Sequence, residues 1–179
     1  MKRTTDEVLA LLADHGARLH AILTRLTLRE DVAEDLMQEL FLKLTQRAGF
    51  GRAEDPVAYA FRAAINLAFD WRRAQKKTPR TESASKDLVA CDRSPPSEAA
   101  RREELQRVLD AIGRLPGLNR DIVVMRYLEQ QDYETIAAEF GKTSHQVRGL
   151  CHKTLSRLRS LLNNESSLRC EFGGSQDER

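Results

Sequence analysis

The side chains with the clearest chemistry lie near the end of the chain, on the polar face of a helix predicted to start after Thr143. From Lys142 to Asn164 the sequence contains no acidic residue. Basic groups repeated at helical spacing suit a polyanion, because each can neutralise or hydrogen-bond a phosphate. Arg148 is the best candidate for a base-edge contact, and Lys153 or Arg157 for phosphate contacts. The whole face comprises His145, Arg148, Gly149, His152, Lys153 and Arg157.

A helix-turn-helix is predicted around this basic face. Asp132 is a suitable N-cap for a short first helix, whose apolar positions are Tyr133, Ile136, Ala137 and Phe140. Gly141 stands where the chain must turn, and Thr143 with Gln146 forms a capping-box pattern before the second helix. This arrangement is typical of proteins that read duplex DNA in the major groove. The candidate duplex-binding set therefore also includes Thr143, Ser144 and Gln146, beside the basic face that begins with His145. The alternative is that the basic residues form only a solvated helix face.

A second candidate surface lies on an earlier helix, predicted from Pro56 to about Arg73 with Asp55 as its N-cap. Polar residues recur along one face, and the segment from Trp71 to Lys77 has no acid. Trp71 can stack on an unpaired base, as in proteins that hold single strands. The alternatives are that Trp71 belongs to the core and that Asp70 only pairs with Arg73. The candidate residues are Arg62, Asn66, Asp70, Trp71, Arg72, Arg73, Lys76 and Lys77.

The elements that must position these surfaces are all helices. Apolar periodicity predicts two helices before Asp55, over residues 5–26 and 31–44, and the sequence lacks strand and hairpin signals. Periodicity stops between 78 and 98, a segment rich in Ser, Thr and Pro. We therefore expect an all-α protein with two small helical domains, 1–77 and 99–163. A flexible linker over 78–98 joins them, and 164–179 form a flexible tail.

Composition excludes several classes of protein. The 179 residues include 41% hydrophobic and 31% charged residues with a net charge of +2, and no apolar run is long enough for a membrane span or signal peptide. We expect a cytoplasmic protein without membrane contact. The three cysteines and four histidines have neither metal-binding nor catalytic spacing. We therefore expect no catalytic residue, no metal and no cofactor.

The chain resembles the bacterial RNA polymerase sigma factors of the extracytoplasmic-function (ECF) group over nearly its whole length. Asp31–Leu44 is similar to the segment of sigma region two that docks on the polymerase clamp, and Phe61–Arg73 to the helix that captures the minus-ten promoter element. Leu115-Pro116 and Tyr133 through Arg148 are similar to region four, which reads the minus-thirty-five element.

The resemblance implies that the partners are core RNA polymerase and promoter DNA, both duplex and opened single strand, with an anti-sigma factor as a further possible partner. It implies that Asn66 lies near a flipped base and Arg148 in the major groove. The implied polymerase contacts are Asp35, Gln38, Glu39 and Phe41. The expected function is promoter recognition, initiation and promoter melting, without enzymatic activity.

Other readings of the pattern lead to different functions. The acidic start of the second helix suits a protein partner because DNA would repel it, but it also suits simple pairing with the helix dipole. A stand-alone regulator would bind a palindromic site by itself. A sigma-like decoy would bind polymerase or an anti-sigma factor without productive initiation.

Overall fold

The computed structural model of the chain describes residues 2–46, 50–77 and 96–172. Its elements, numbered in chain order, are α1 (Lys2–Thr27), α2 (Glu30–Gln46), a 3-10 turn (Phe50–Arg52), α3 (Pro56–Lys77), α4 (Pro96–Gly113), α5 (Gly117–Tyr127), α6 (Tyr133–Glu139) and α7 (Ser144–Phe172). No strand occurs within these three ranges. The all-α prediction is confirmed.

The first three helices pack as a bundle through the apolar stripes that the sequence predicted. On α2 the stripe repeats every four residues, and Val32, Leu36, Leu40 and Leu44 are all buried. On α3 the stripe begins with Phe61, which is buried together with Ala64 and Ala68. Val57 and Trp71 are also apolar residues of α3, but they are only half-buried and pack at the edge of the core.

Local capping determines where three of the helices begin. Asp55 Oδ1 accepts a hydrogen bond of 2.9 Å from the Ala58 amide at the start of α3, and Asp132 Oδ1 accepts one of 2.7 Å from the Thr135 amide at the start of α6. At α7, Thr143 Oγ1 accepts from the Gln146 amide at 3.2 Å while Gln146 Oε1 accepts from the Thr143 amide at 3.1 Å. The predicted caps and the capping box are confirmed.

The helix-turn-helix is formed by α6 and α7. Gly141 adopts a φ of +59° between them, a left-handed conformation that glycine reaches without a steric penalty. Behind the turn, both helices contribute buried apolar side chains to the core: Ile136 and Ala137 from α6, and Val147 and Cys151 from α7. The α7 helix continues to Phe172, past Asn163, where the sequence pattern predicted the tail to begin. The part of the tail beyond Phe172 lies outside the described residues, as does 78–95 of the predicted linker.

The two halves of the chain contact each other directly. Helices α4 and α5 pack on α3, and the buried apolar residues of both halves form one continuous cluster that runs from Val8 to Leu158. No helix among the described residues has the length and apolar character needed to cross a membrane.

Candidate nucleic-acid interface

The basic face of α7 is an exposed surface on a helix that is anchored by its opposite side. Val147, Cys151, Thr154 and Leu158 are buried at helical spacing, which turns the intervening polar residues outward. The predicted duplex-binding residues are therefore brought together, with Ser144 half-buried and the others exposed: Thr143, His145, Gln146, Arg148, Gly149, His152, Lys153 and Arg157. Such a ridge of basic groups can enter a groove lined with phosphates.

Arg148 is positioned by an aromatic ring of the first helix of the pair. Its guanidinium carbon lies 5.2 Å from the centroid of the Tyr133 ring, and that of Arg126 lies 4.7 Å from the same centroid. Stacking on a ring restricts the long arginine side chain while its donors still face solvent. The sequence pattern placed Tyr133 on the inner apolar face of α6 and gave no signal for this contact.

The candidate residues of α3 do not form one surface. Arg62, Asn66 and Asp70 line a cleft of about 580 Å³, together with Lys43 and Asp121. Trp71, Arg72 and Lys76 line a different cleft, between the end of α1 and the middle of α4. The predicted single-strand surface is thus divided between two sides of the helix.

Arg72 is a buried structural residue, and its predicted role as a DNA contact does not hold in this structure. The residue is 5% exposed. Its guanidinium donates to Asp110 Oδ1 at 2.6 Å and to the Leu26 carbonyl at 3.1 Å. The sequence spacing indicates the burial of Arg72, because this position follows the buried Ala68 by four residues and so continues the apolar stripe of α3.

The remaining basic residues at the end of α3 differ in their partners. Arg73 forms an ion pair with Asp70, and both side chains are more than half exposed. This confirms that Asp70 pairs with Arg73, while the pair stays accessible to solvent. Lys76 Nζ lies 2.8 Å from Asp110 Oδ2, and Lys77 is exposed.

The side chain of Asn66 is hydrogen-bonded to a residue from the other half of the chain. Its Oδ1 accepts a hydrogen bond from Arg120 Nη2 of α5. Arg120 is buried and also donates through Nε to Asp121 Oδ1 at 3.0 Å. Burial raises the pKa of Asp121, and the neighbouring Arg120 opposes that shift. Sequence reasoning identified Asn66 as a site residue but did not identify its partner.

The outer face of α2 is acidic and contains one exposed apolar side chain. Asp35, Gln38 and Glu39 are exposed, and Phe41 is half-buried. Leu42, which the sequence reasoning missed, is 51% exposed and lies one turn after Gln38 and Glu39. The sequence pattern could have indicated this exposure, because Leu42 lies outside the buried stripe of α2. At the start of α2, a hydrogen bond from Arg29 lowers the pKa of Asp31.

Comparisons with known proteins agree with the division of the chain into two parts. The chain matches the family Sigma-70 region 2 over residues 11–78 and the family Sigma-70, region 4 over residues 105–158. It is similar to the probable RNA polymerase sigma factor RfaY of Xanthomonas campestris pv. campestris, with 34% identity over 148 residues. That alignment covers 78% of this chain and 36% of RfaY, so the chain spans about a third of this relative.

A second relative is matched over most of its length. RNA polymerase sigma factor CarQ of Myxococcus xanthus is 30% identical over 157 residues, which cover 85% of this chain and 87% of CarQ. Among solved structures, the sigma factor RpoE of Bartonella quintana in complex with the anti-sigma factor NepR aligns with a TM-score of 0.47 and 21% identity. This alignment covers 91% of this chain and 98% of RpoE.

Proposed function

Because this chain belongs to the RNA polymerase sigma factors of the ECF group, we propose that three of its helices divide the work of promoter recognition. Helix α2 binds core RNA polymerase, α3 captures the opened minus-ten strand, and α7 reads the minus-thirty-five duplex. The observation that carries the proposal is a separation of charge. The exposed face of α2 carries Asp35 and Glu39, whereas the described face of α7 carries no acid. DNA repels the first face and attracts the second, so the two faces suit different partners.

On α7, the exposed donors divide into base and phosphate contacts. Arg148 lies in the first turns of the helix, where a recognition helix meets base edges. Lys153 and Arg157 follow at one-turn spacing along the exposed side and suit the phosphates of the groove. Gln146 uses its amide oxygen in the capping box, which leaves its amide nitrogen as the donor that can face DNA.

On α2, the polymerase contact combines carboxylates with an apolar anchor. Asp35 and Glu39 are one turn apart and exposed, and Leu42 extends the same face. An exposed leucine beside charges is typical of a protein interface, where a buried apolar contact supplies affinity and rim charges set the orientation. We therefore add Leu42 to the polymerase-binding set of Asp35, Gln38, Glu39 and Phe41.

On α3, the strand-capturing set is narrower than the sequence suggested. Arg62, Asn66, Asp70 and Arg73 stay in this set, because they lie along the side that borders the cleft or at its accessible end. Lys77 adds a phosphate contact beyond Arg73. Asn66 can bond to the edge of an unpaired base once its amide is released from Arg120.

The chain acts as an initiation factor and supplies no catalytic group of its own; bond formation belongs to the polymerase. Residues 1–77 form the unit for polymerase and the minus-ten element, and 99–163 form the unit for the minus-thirty-five element. An anti-sigma factor is a further partner that family membership suggests.

Run-off transcription tests the proposal, with core RNA polymerase and the DNA upstream of the chain's own gene as template. The chain should give one promoter-specific transcript that polymerase alone does not give. Asp35→Ala should lower polymerase binding, and the exposed carboxylate variant Asp6→Ala on α1 is its matched control. Asn66→Ala should leave a closed complex that does not melt. The absence of any specific transcript, together with tight duplex binding by the chain alone, would contradict the proposal and favour a stand-alone regulator.

A further inference from the structure

The strand-capturing side of α3 is covered in part, at Arg62 and Asn66, by the other half of the chain. The covering residues, which we call the occluding surface, lie on α5, on α6 and next to them: Arg120, Asp121, Glu129, Glu139 and Phe140. Arg120 donates to Asn66 Oδ1, and its guanidinium carbon lies 5.0 Å from the centroid of the Phe69 ring. The side-chain oxygen of Asn66, part of the amide proposed to bond a base, is therefore already hydrogen-bonded.

A second contact joins the occluding surface to α1. Glu129 Oε2 accepts from Arg18 Nε at 2.8 Å, and Glu129 Oε1 lies 3.4 Å from Arg25 Nη1. Arg25 also donates to the Leu128 carbonyl at 2.7 Å. The Glu129 side chain is 4% exposed, so this carboxylate is desolvated and depends on its two arginines.

A third contact involves the other arginine of the strand-capturing side. The guanidinium carbon of Arg62 lies 5.3 Å from the centroid of the Phe140 ring. Beside it, Glu139 is half-buried and interacts with Arg62 and Arg18. Carboxylates of the occluding surface thus face arginines of the first half, as the phosphates of a DNA strand would.

The distance between the two promoter elements shows that the chain in this arrangement cannot bind both of them at once. Elements near minus ten and minus thirty-five lie about 25 base pairs apart, which is about 85 Å of duplex at 3.4 Å per base pair. A compact chain of this size has a radius of gyration of about 16 Å. The α5–α6 unit must therefore leave α3 before α7 and α3 can occupy their elements at once.

We propose that the occluding surface is an intramolecular ligand for the strand-capturing side of α3, so that the free chain hides the surface it uses for melting. This inference rests on the proposed function of α3. In this closed form Asn66 and Arg62 bind α5 and α6; in the open form, favoured by polymerase and DNA, they are released. Closure lowers the apparent affinity of the free chain for single strands, because only the open fraction of the chains can bind.

Charge reversal at Glu129 tests the closed form. Glu129→Arg places a cation against Arg18 and Arg25, whereas Glu103→Arg makes the same charge change at an exposed position of α4 and is the matched control. Compactness is measured by small-angle X-ray scattering. Strand binding is measured by fluorescence anisotropy with a fluorescein-labelled single-stranded DNA of randomised sequence. Glu129→Arg should expand the chain and raise strand affinity by about tenfold over the control if about one wild-type chain in ten is open.

The double variant that exchanges the two charges, Arg18→Glu with Glu129→Arg, should restore both the compact scattering profile and the weak strand binding. Equal scattering and equal strand affinity for Glu129→Arg and Glu103→Arg would overturn the inference, as would an expanded chain that the exchange does not restore. If circular dichroism shows that Glu129→Arg loses helix, Glu129→Gln provides the same comparison without an added cation. Run-off transcription by the wild-type chain tests the proposed function separately, since a transcribing chain that is never compact contradicts only the closed form.

Discussion

Arg120 joins distant parts of the sequence through one side chain. It pairs with its neighbour Asp121 and donates to Asn66, which is 54 positions earlier in the chain. Periodicity places both residues on helices, but it carries no information about a contact between helices so far apart in sequence. The family resemblance assigns Asn66 a place near the opened strand, which stays a prediction, and the sequence does not identify Arg120 as its hydrogen-bond partner.

Arg148 and its supporting ring give a prediction for duplex binding. Arg148→Ala should weaken binding of the holoenzyme to the minus-thirty-five duplex by about tenfold, because a base-edge arginine contributes about 1–3 kcal/mol. Tyr133→Leu should weaken the same binding by about two- to fivefold through loss of the stacked position. Tyr133→Phe keeps the ring and should bind like the wild type. Equal losses for Leu and Phe at this position would show that the ring does not position Arg148.

Glu139 gives a prediction for pH dependence. Burial, with a smaller effect from Asp55, raises the pKa of Glu139 to about 6, against the opposing effects of the Gln131 hydrogen bond, Arg18 and Arg62. In the open form the carboxyl returns to its ordinary value, so the closed form binds a proton more tightly. The raised pKa of Asp121 acts in the same direction.

The closed form should therefore gain stability as pH falls from about 6 towards 4.5 and lose it as pH rises through that range. Small-angle scattering should show a more compact chain at about pH 5 than at about pH 8. The Glu139→Gln chain should be compact at both pH values. Its compactness should depend less on pH, because only Asp121 then contributes to the dependence. A wild-type chain that expands on acidification would contradict this prediction.

At the scale of helices, local signals predicted the structure well. Asp55, Asp132 and the pair Thr143 and Gln146 each cap the helix that the sequence assigned to them, because a cap depends only on residues within one turn. The assignment failed at Arg72, whose partner Asp110 is 38 positions away. A run of basic residues predicts positive charge, but tertiary contacts decide which members face solvent.

The two glycines of the helix-turn-helix give a prediction for stability. Gly141→Ala should destabilise the fold by about 1 kcal/mol, because an L side chain is strained at positive φ. The added Cβ meets no atom within 4 Å, so backbone strain alone is the cause. Gly149→Ala, inside α7 and also without a close neighbour, should stabilise by about 1 kcal/mol. Thermal unfolding should show shifts of about 2–4 °C in opposite directions; shifts of the same sign would contradict the turn assignment.

The exposed leucine of α2 gives a prediction for polymerase binding. Leu42→Ala should weaken affinity for core polymerase by about fivefold or more, because an apolar anchor at an interface contributes at least about 1 kcal/mol. Leu9 on α1 is similarly exposed, at 53% against 51% for Leu42, and Leu9→Ala should bind normally. Competition with a labelled sigma factor for core polymerase measures both. Equal effects of the two substitutions would remove Leu42 from the contact.

At the scale of the whole chain, the sequence predicted two helical units but not their contact. Composition and the break in periodicity after Lys77 marked the division, and each unit buries the apolar faces that were expected. The packing of the second unit on the first includes polar contacts between residues far apart in sequence, such as Arg18 with Glu129 and Arg120 with Asn66. Such long-range complementarity has no signature in local sequence.

The central claim is that the chain, together with polymerase, reads a promoter at two separated places and opens it at one of them. Footprinting of the holoenzyme on the DNA upstream of the chain's own gene, combined with permanganate detection of unpaired thymines, tests it most directly. We predict two protected blocks, with unpaired thymines only at the downstream block, and loss of those thymines in Asn66→Ala while both blocks remain. A single protected block formed by the chain without polymerase, or melting that is unchanged in Asn66→Ala, would contradict the claim.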